Sequence, residues 1–403
     1  MAHDSEHRNP FLDSGLASTT MHPLGLEVER AEGAWLQLTD GRRIMDAISG
    51  IGVSNFGHQE PTIHSRLRKQ LDAHLHTMVY GEMVQSVQQR AGALLLDTMP
   101  SALDCVYFVN SGAEAVDAAL KLAKRTTGRS RLLAVQGGYH GNTHGALSVS
   151  SNESRKSAYR PLLPDVEFLG WNDPKDVSRI DDTVACVIVE TVQGDAGIRI
   201  PDASWLQALR RRCDEVGTLL VLDEIQCGMG RTGTPWAFLQ FDVVPDMVCM
   251  GKALGGGMPV GALVASKQAM SQFAQNPSLG HITTFGGHPL VCAGVEGALT
   301  CMNALDWAVV ESRNRAWQEA LSNHPAVTKT RRLGAFHAVE LASPQHVETL
   351  VHAALNATPT HGVLAFWFLS VPHAFRLAPP LNASQEAMDE GLRLLMRALD
   401  QCV

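Results

Sequence analysis

Lys252 stands between an apolar run, Met247-Val248-Cys249-Met250, and a stretch of mostly small residues, Ala253-Leu254-Gly255-Gly256-Gly257. Desolvation penalises an ammonium, so a lysine leaving a strand end among glycines either snorkels to water or is held for its amine chemistry. Other reactive residues follow apolar runs in the same way. Asn110-Ser111-Gly112-Ala113 comes after the run 106–109 and opens a helical pattern; free N–H groups at a helix start suit a phosphate, and plain Ser/Gly capping is the alternative. Tyr139 follows the run 131–135 in Gly137-Gly138-Tyr139-His140-Gly141-Asn142-Thr143, where an aromatic among glycines could lie on a planar ring or simply mark an exposed turn. Glu190 and Asp195 follow the run 185–189, and Asp223 and Gln226 follow 219–222. A carboxylate at the end of so apolar a strand is costly unless it meets a cation, so Asp223 needs a positive partner, and Gln226 could point to the same side. A phosphate cradle, a flat aromatic, a buried acid and an amine are all answered by one small molecule, pyridoxal 5'-phosphate.

The runs that present these residues are short and apolar throughout, which predicts strands covered on both faces. The segments 106–109, 131–135, 185–189, 218–222 and 247–250 read as strands, with helices at 113–124 and 203–216 between them. Alternation of this kind gives an α/β fold with a mostly parallel, doubly wound sheet, in which ligands gather outside the carboxyl ends of the strands. Before it, 24–46 alternates apolar and polar residues around Thr39-Asp40-Gly41, a meander of antiparallel strands, and 60–75 and 86–98 have helical spacing. After it come helical patterns at 290–304 and 306–321, short strands near 334–341 and 363–369, and a final amphipathic helix at 384–400. The expected organisation is an N-terminal segment (1–50) packing with a smaller α+β domain (291–403), around a large cofactor-binding domain (51–290).

Composition narrows the function classes. The 403-residue chain is 45% hydrophobic and 18% charged with a net charge of -8, ordinary globular values with no electrostatic case for nucleic acid or an anionic membrane. The eight cysteines form no CxxC pair and read as reduced core residues, which points to the cytoplasm. Neither HExxH nor a carboxylate cluster accompanies the seventeen histidines, so no metal is expected. GxGxxG and GxxxxGK[ST] are both missing; Ala253 follows Gly251-Lys252.

Seven stretches carry a family resemblance: NSGAEAVDAALKLAK (110–124), YHGNT (139–143), VIVETVQGDAGI (187–198), LLVLDEIQCGMGRTG (219–233), GKALGGGMPVGA (251–262), TTFGGHPLVCAG (283–294) and FRLAPPL (375–381). In this order they resemble the class III, or ornithine/acetylornithine-type, aminotransferases of pyridoxal-phosphate fold type I, from about residue 22 to 395. The resemblance implies a homodimer with active sites at the interface and transfer of an amino group from an amino acid or ω-amine to 2-oxoglutarate or pyruvate. It implies a Schiff base on Lys252, a pyridoxamine phosphate intermediate, a ring-nitrogen contact from Asp223, ring stacking by Tyr139 and a ring-oxygen contact from Gln226. Phosphate contacts fall on Ser111, Gly112 and Ala113, and on Thr284 from the partner subunit, with Thr283 beside it near the substrate. Arg376 matches the arginine that binds the substrate α-carboxylate, and Glu190 lies on the substrate side.

The pattern breaks around the substrate. Asn142 stands where these enzymes usually carry a carboxylate-clamping arginine and cannot supply a bidentate pair. Asp195 replaces a glutamate that masks the C-terminal arginine in dual-substrate members, and Met21 stands in place of a donor-holding tyrosine. The expectation is an altered, less charged donor, with 2-oxoglutarate as acceptor only where another cation, Arg155 or Arg160, replaces the missing arginine, and pyruvate otherwise. An aminomutase or decarboxylase on the same fold would use Lys252 and Asp223 equally well, and a non-catalytic binding protein is the remaining alternative.

Overall fold

The computed structural model describes residue 9, residues 11–20 and residues 22–402; Met21 lies outside them. Strands β1 (Val28–Glu32), β2 (Trp35–Leu38) and β3 (Arg43–Asp46) form the expected antiparallel meander. Its turn closes where Gly41, at φ 88°, donates to the Leu38 carbonyl at 3.0 Å.

Seven strands build the large sheet: β4 (Cys105–Val109), β5 (Arg131–Val135), β6 (Val166–Leu169), β7 (Val184–Glu190), β8 (Leu219–Asp223), β9 (Met247–Gly251) and β10 (Gly261–Ala265). Their order is β4-β10-β9-β8-β7-β5-β6. The run from β9 to β6 is parallel, and β10 is antiparallel to both its neighbours. Successive side chains point to opposite faces of a strand, so each strand feeds two cores. Leu133, Val187 and Leu222 pack with Trp205 and Leu209 of the helix Ala203–Val216 and with Val295 and Leu299 of the helix Pro289–Asn303. Leu132, Ile188 and Val221 pack on the other face with Val116, Ala119 and Leu122 of the helix Gly112–Thr127. Every residue of β7, β9 and β10 is buried, which is why these strands read as unbroken apolar runs rather than alternating ones.

The C-terminal strands β11 (Val327–Leu333), β12 (Phe336–Leu341), β14 (Phe366–Trp367) and β15 (Ala374–Leu377) make a third sheet, while β13 (His361–Leu364) returns to pair in parallel with β3. Ala34, Met45 and Ala47 share a core with Trp317, Leu350 and Leu395. A helix at Pro344–Leu355, together with β6, β10 and β11, adds elements that apolar periodicity does not single out. In β11 the sequence VTKTRRL is polar enough to resemble a loop, and β10 sits behind the glycine run. Among the described residues no helix is long and apolar enough to cross a membrane.

Ahead of the large sheet the chain makes a left-handed turn: Ser49, Gly50, Ile51 and Gly52 have φ of 49°, 56°, 65° and 77°. The carboxylate of Asp46 fastens it, accepting from the N–H groups of Ile48 at 3.2 Å and Gly50 at 2.9 Å. Ser49 Oγ donates to the Ala378 carbonyl at 2.7 Å.

Candidate active site

Parallel register aligns the ends of β7 and β8, so Glu190 and Asp223 are ladder neighbours, and Lys252 follows β9 on the next strand. The antiparallel β10 brings the end of β4 alongside, with Gly261 opposite both Val109 and Gly251. A Cβ at Gly112 would lie 2.7 Å from Ile225 Cδ1, so glycine lets the helix start meet the loop after β8 without displacing that side chain. The result is a cavity of about 230 Å³ lined by Gly112, Ala113, Tyr139, His140, Asn142, Glu190, Asp223, Gln226 and Lys252.

Each wall has its own chemistry. Ser111 caps the helix, its Oγ accepting from Glu114 N at 3.2 Å, and the first-turn N–H groups of Gly112 and Ala113 have no acceptor within the helix. Such a wall suits an anion. Buried Asp223 accepts from Ile225 N at 3.0 Å through Oδ1, and its Oδ2 lies 2.7 Å from Nδ1 of the buried His140. An imidazole thus partners the Asp223 carboxylate within the site. Buried Glu190 accepts from Tyr139 N at 2.8 Å and Gly194 N at 2.9 Å, and burial pushes its carboxyl up to about 7. Lys252 has φ 46°, a left-handed conformation unusual for a side chain of its size. Burial lowers the pKa of its amine, against the opposing pull of Asp223 and Glu190, and so favours the neutral nucleophile. The floor is close: a Cβ at Gly52 would lie 3.9 Å from Lys252 Cδ and 3.8 Å from Gln226 Cγ.

A narrower pocket of about 20 Å³ adjoins this cavity, sharing Tyr139 and Asn142 and adding Arg155, Asp195 and Ser370. Asp195 is shared between two cations, with Arg376 Nη2 3.2 Å from Oδ1 and Arg155 Nη2 3.1 Å from Oδ2. Ser370 Oγ donates to Oδ2 at 2.7 Å. Arg376 is buried over the Phe368 ring, 4.6 Å from its centroid, and burial lowers its pKa. Its Nε is buried without a partner among the described residues.

Of the residues expected from sequence, Gly112, Ala113, Tyr139, Asn142, Glu190, Asp223, Gln226 and Lys252 line the main cavity, with Ser111 at its edge. Asp195 and Arg376 meet beside it. Thr283 and Thr284 do not join them. Thr283 Oγ1 accepts from Gly286 N at 2.7 Å and faces separate grooves, while Thr284 is exposed. His140 was not anticipated. The demand of Asp223 for a cation was the available signal, together with a histidine next to Tyr139 at the same end of the sheet.

With this geometry in hand, the relatives are informative. The family model for class-III aminotransferases matches residues 16–399. The chain is 36% identical over 375 residues to an acetylornithine aminotransferase of Methanopyrus kandleri, covering 91% of this chain and 92% of that one. It is 33% identical over 418 residues to a putrescine aminotransferase of Pectobacterium atrosepticum, covering 98% and 86%. It is 35% identical over 301 residues to a [LysW]-aminoadipate semialdehyde/glutamate semialdehyde transaminase of Sulfolobus acidocaldarius, covering 73% and 74%. The fold matches a crystal structure of the ornithine aminotransferase from Toxoplasma gondii with a TM-score of 0.88 at 24% identity, over 97% of this chain and 94% of that one. The chain belongs to the class-III aminotransferases, and its fold is that of the ornithine aminotransferase.

Proposed function

We propose that this protein is an aminotransferase in which Lys252 is the catalytic amine, pyridoxal 5'-phosphate occupies the main cavity, and Arg376 anchors the substrate α-carboxylate. The observation that carries the reading is the convergence of a neutral-leaning lysine, a buried Asp223–His140 pair and a helix N-terminus on one cavity. The cofactor fits the donor set: first-turn N–H groups at Gly112 and Ala113 for its phosphate, Tyr139 for its ring face, Gln226 for its ring oxygen, Asp223 for its nitrogen and Lys252 for its aldehyde. Bound there, it supplies an electron sink for the bonds to the substrate α-carbon.

The residues of the chain do the remaining work. Asp223, oriented by His140 and Ile225 N–H, would hold a proton on the cofactor's ring nitrogen. The Lys252 amine takes a proton from the substrate carbon and returns one, which requires the neutral form that burial promotes. Asp195 holds Arg376 until a carboxylate arrives. Glu190 lies on the substrate side of Tyr139, fixing its backbone.

A homodimer completes the site. Tyr80, Leu279 and Ile282 are exposed and line a groove of about 1110 Å³, and an apolar surface of this kind calls for a partner. Thr284, exposed here, would reach the phosphate of the second copy, with Thr283 beside it near the substrate. The eight cysteines, none in a disulfide, suit the reducing cytoplasm.

A panel of amino acids and ω-amines, each with 2-oxoglutarate and with pyruvate, tests the function. Donor alone should convert the absorbance of the bound aldehyde cofactor to that of the amine form without releasing carbon dioxide. Carbon dioxide release, or no conversion with any donor, would defeat the assignment.

A further inference from the structure

We propose that Arg155 is a second carboxylate anchor, positioned to take over the role that a guanidinium at position 142 would play and to select 2-oxo dicarboxylic acids as acceptors. The inference rests on the aminotransferase reading and deepens it.

Asn142 and Arg155 line the same narrow pocket, next to Tyr139 and opening on the cavity of Lys252. The Arg155 guanidinium lies 5.7 Å from the Tyr139 ring centroid, so aromatic contact orients it. Its only ion pair among the described residues is to Asp195, through Nη2 at 3.1 Å. A guanidinium carries five N–H donors in a planar fork, and its remaining donors have no acceptor among the described residues. Its side chain is 25% exposed, enough to be reached by a ligand.

Charge points the same way. Asp195 contributes one negative charge against the two positive charges of Arg155 and Arg376, so this cluster of three side chains keeps one cation in excess. A monocarboxylic acceptor engaging Arg376 needs only that guanidinium. A dicarboxylic acceptor needs a second cation beyond the reacting carbon, and Arg155 is the one at hand. Of the other basic residues nearby in sequence, Lys156 is buried and donates to the Ser150 carbonyl at 2.9 Å, and Arg160 is turned to the surface, paired with Glu153 at 2.6 Å and 53% exposed. Ser370, already donating to Asp195 at 2.7 Å, gives that carboxylate a place to rest when substrate displaces it from the arginines.

The test uses the holoenzyme and measures kcat/KM for 2-oxoglutarate and for pyruvate with one common donor. Arg155→Gln should lower the ratio of the two values by about 10–100-fold, the loss of one charge-assisted bidentate contact, or about 1.4–2.7 kcal/mol. Adding Asn142→Arg to that variant should restore the ratio by at least about tenfold, a rescue that repair of packing alone would not produce. Should Arg155→Gln fail to fold, Arg155→Lys, which keeps the charge and loses the fork, should lower the ratio by about 3–10-fold. A ratio unchanged within twofold in the folded variant would overturn the proposal, as would a wild-type enzyme using pyruvate but not 2-oxoglutarate. A wild-type enzyme that fails the donor half-reaction itself overturns the function, and this inference with it.

Discussion

Replacing Asp223 with asparagine removes one charge from the centre of the site while disturbing little else. The carboxylate makes two contacts, accepting from Ile225 N at 3.0 Å and facing His140 Nδ1 at 2.7 Å. An asparagine keeps the first through its carbonyl oxygen. Its NH₂ then faces the ring nitrogen, which can accept in the other tautomer, so the exchange of partners should cost the fold only about 1 kcal/mol.

The chemical cost is larger. An opposite charge in contact raises the affinity of a nitrogen for its proton by about 1–3 units, or about 1.4–4 kcal/mol. Without that charge the electron sink is weaker, and kcat/KM should fall by about 10- to 1,000-fold. Both numbers are needed, so the assay pairs steady-state turnover with spectrophotometric titration of cofactor occupancy and a denaturant melt. Asp223→Asn with full occupancy, near-normal stability and kcat/KM within threefold of wild type would refute the account of Asp223 as the charge that holds the proton.

Lys252→Ala should abolish both the borohydride-reducible absorbance and turnover, and a variant keeping either would sink its assignment. Gly141→Ala should destabilise the enzyme by about 1–3 kcal/mol in a denaturant titration and weaken cofactor affinity. At φ 126° its Cβ would lie 2.6 Å from that of Ala113, pushing on the helix start that forms the anion site. Burial pushes the Glu224 carboxyl from 4.5 up to about 7, and its oxygens accept from Ala237 N at 2.8 Å and Phe238 N at 2.9 Å. A raised carboxyl binds its proton more tightly when folded, so its contribution should be full below pH 4.5 and diminish as pH rises to about 7. The loss should total about 3 kcal/mol in unfolding free energy. Glu224→Gln should remove this slope, while lowering stability by about 1–3 kcal/mol because its NH₂ faces a backbone donor.

Legibility followed locality. The central sheet was readable because its strands are buried on both faces, and burial on both faces leaves an unbroken apolar run. The run 131–135 became β5 with the same limits, and 203–216 became a helix with the same limits. By contrast β10 was hidden: Gly261-Ala262-Leu263-Val264-Ala265 is as apolar as its neighbours, yet the glycines before it read as loop, and its antiparallel place between β4 and β9 is set by partners far along the chain. The site divides similarly. Residues that directly follow strands, such as Asp223 and Lys252, announce themselves by violating the rule that ends of apolar runs carry no charge. The Asp223–His140 pair and the sharing of Asp195 by Arg155 and Arg376 join residues 83, 40 and 181 positions apart, and no local pattern encodes them.

The same distinction explains where the chain tolerates strain. Among the non-glycine residues with left-handed backbone, at about 1–2 kcal/mol each, are Lys252 itself and Ser49 and Ile51 of the turn whose last residue, Gly52, neighbours Lys252. Such conformations persist only when surroundings over-determine them. Here the restraint is Arg231, wholly buried, which donates to the carbonyls of Ala335 at 3.0 Å and Pro379 at 2.8 Å, to Ser49 Oγ at 3.3 Å and to Asn55 Oδ1 at 2.5 Å. One guanidinium therefore ties the left-handed turn to the loop after β8 and to two C-terminal segments. Desolvation lowers its pKa to about 9, a measure of how unfavourable the burial of that charge is. Gly52, at the end of that turn, is a neighbour of Lys252 and Gln226, so the floor beside the amine is built by segments from both ends of the chain, and a lysine that looked local in sequence stands on contacts that are not.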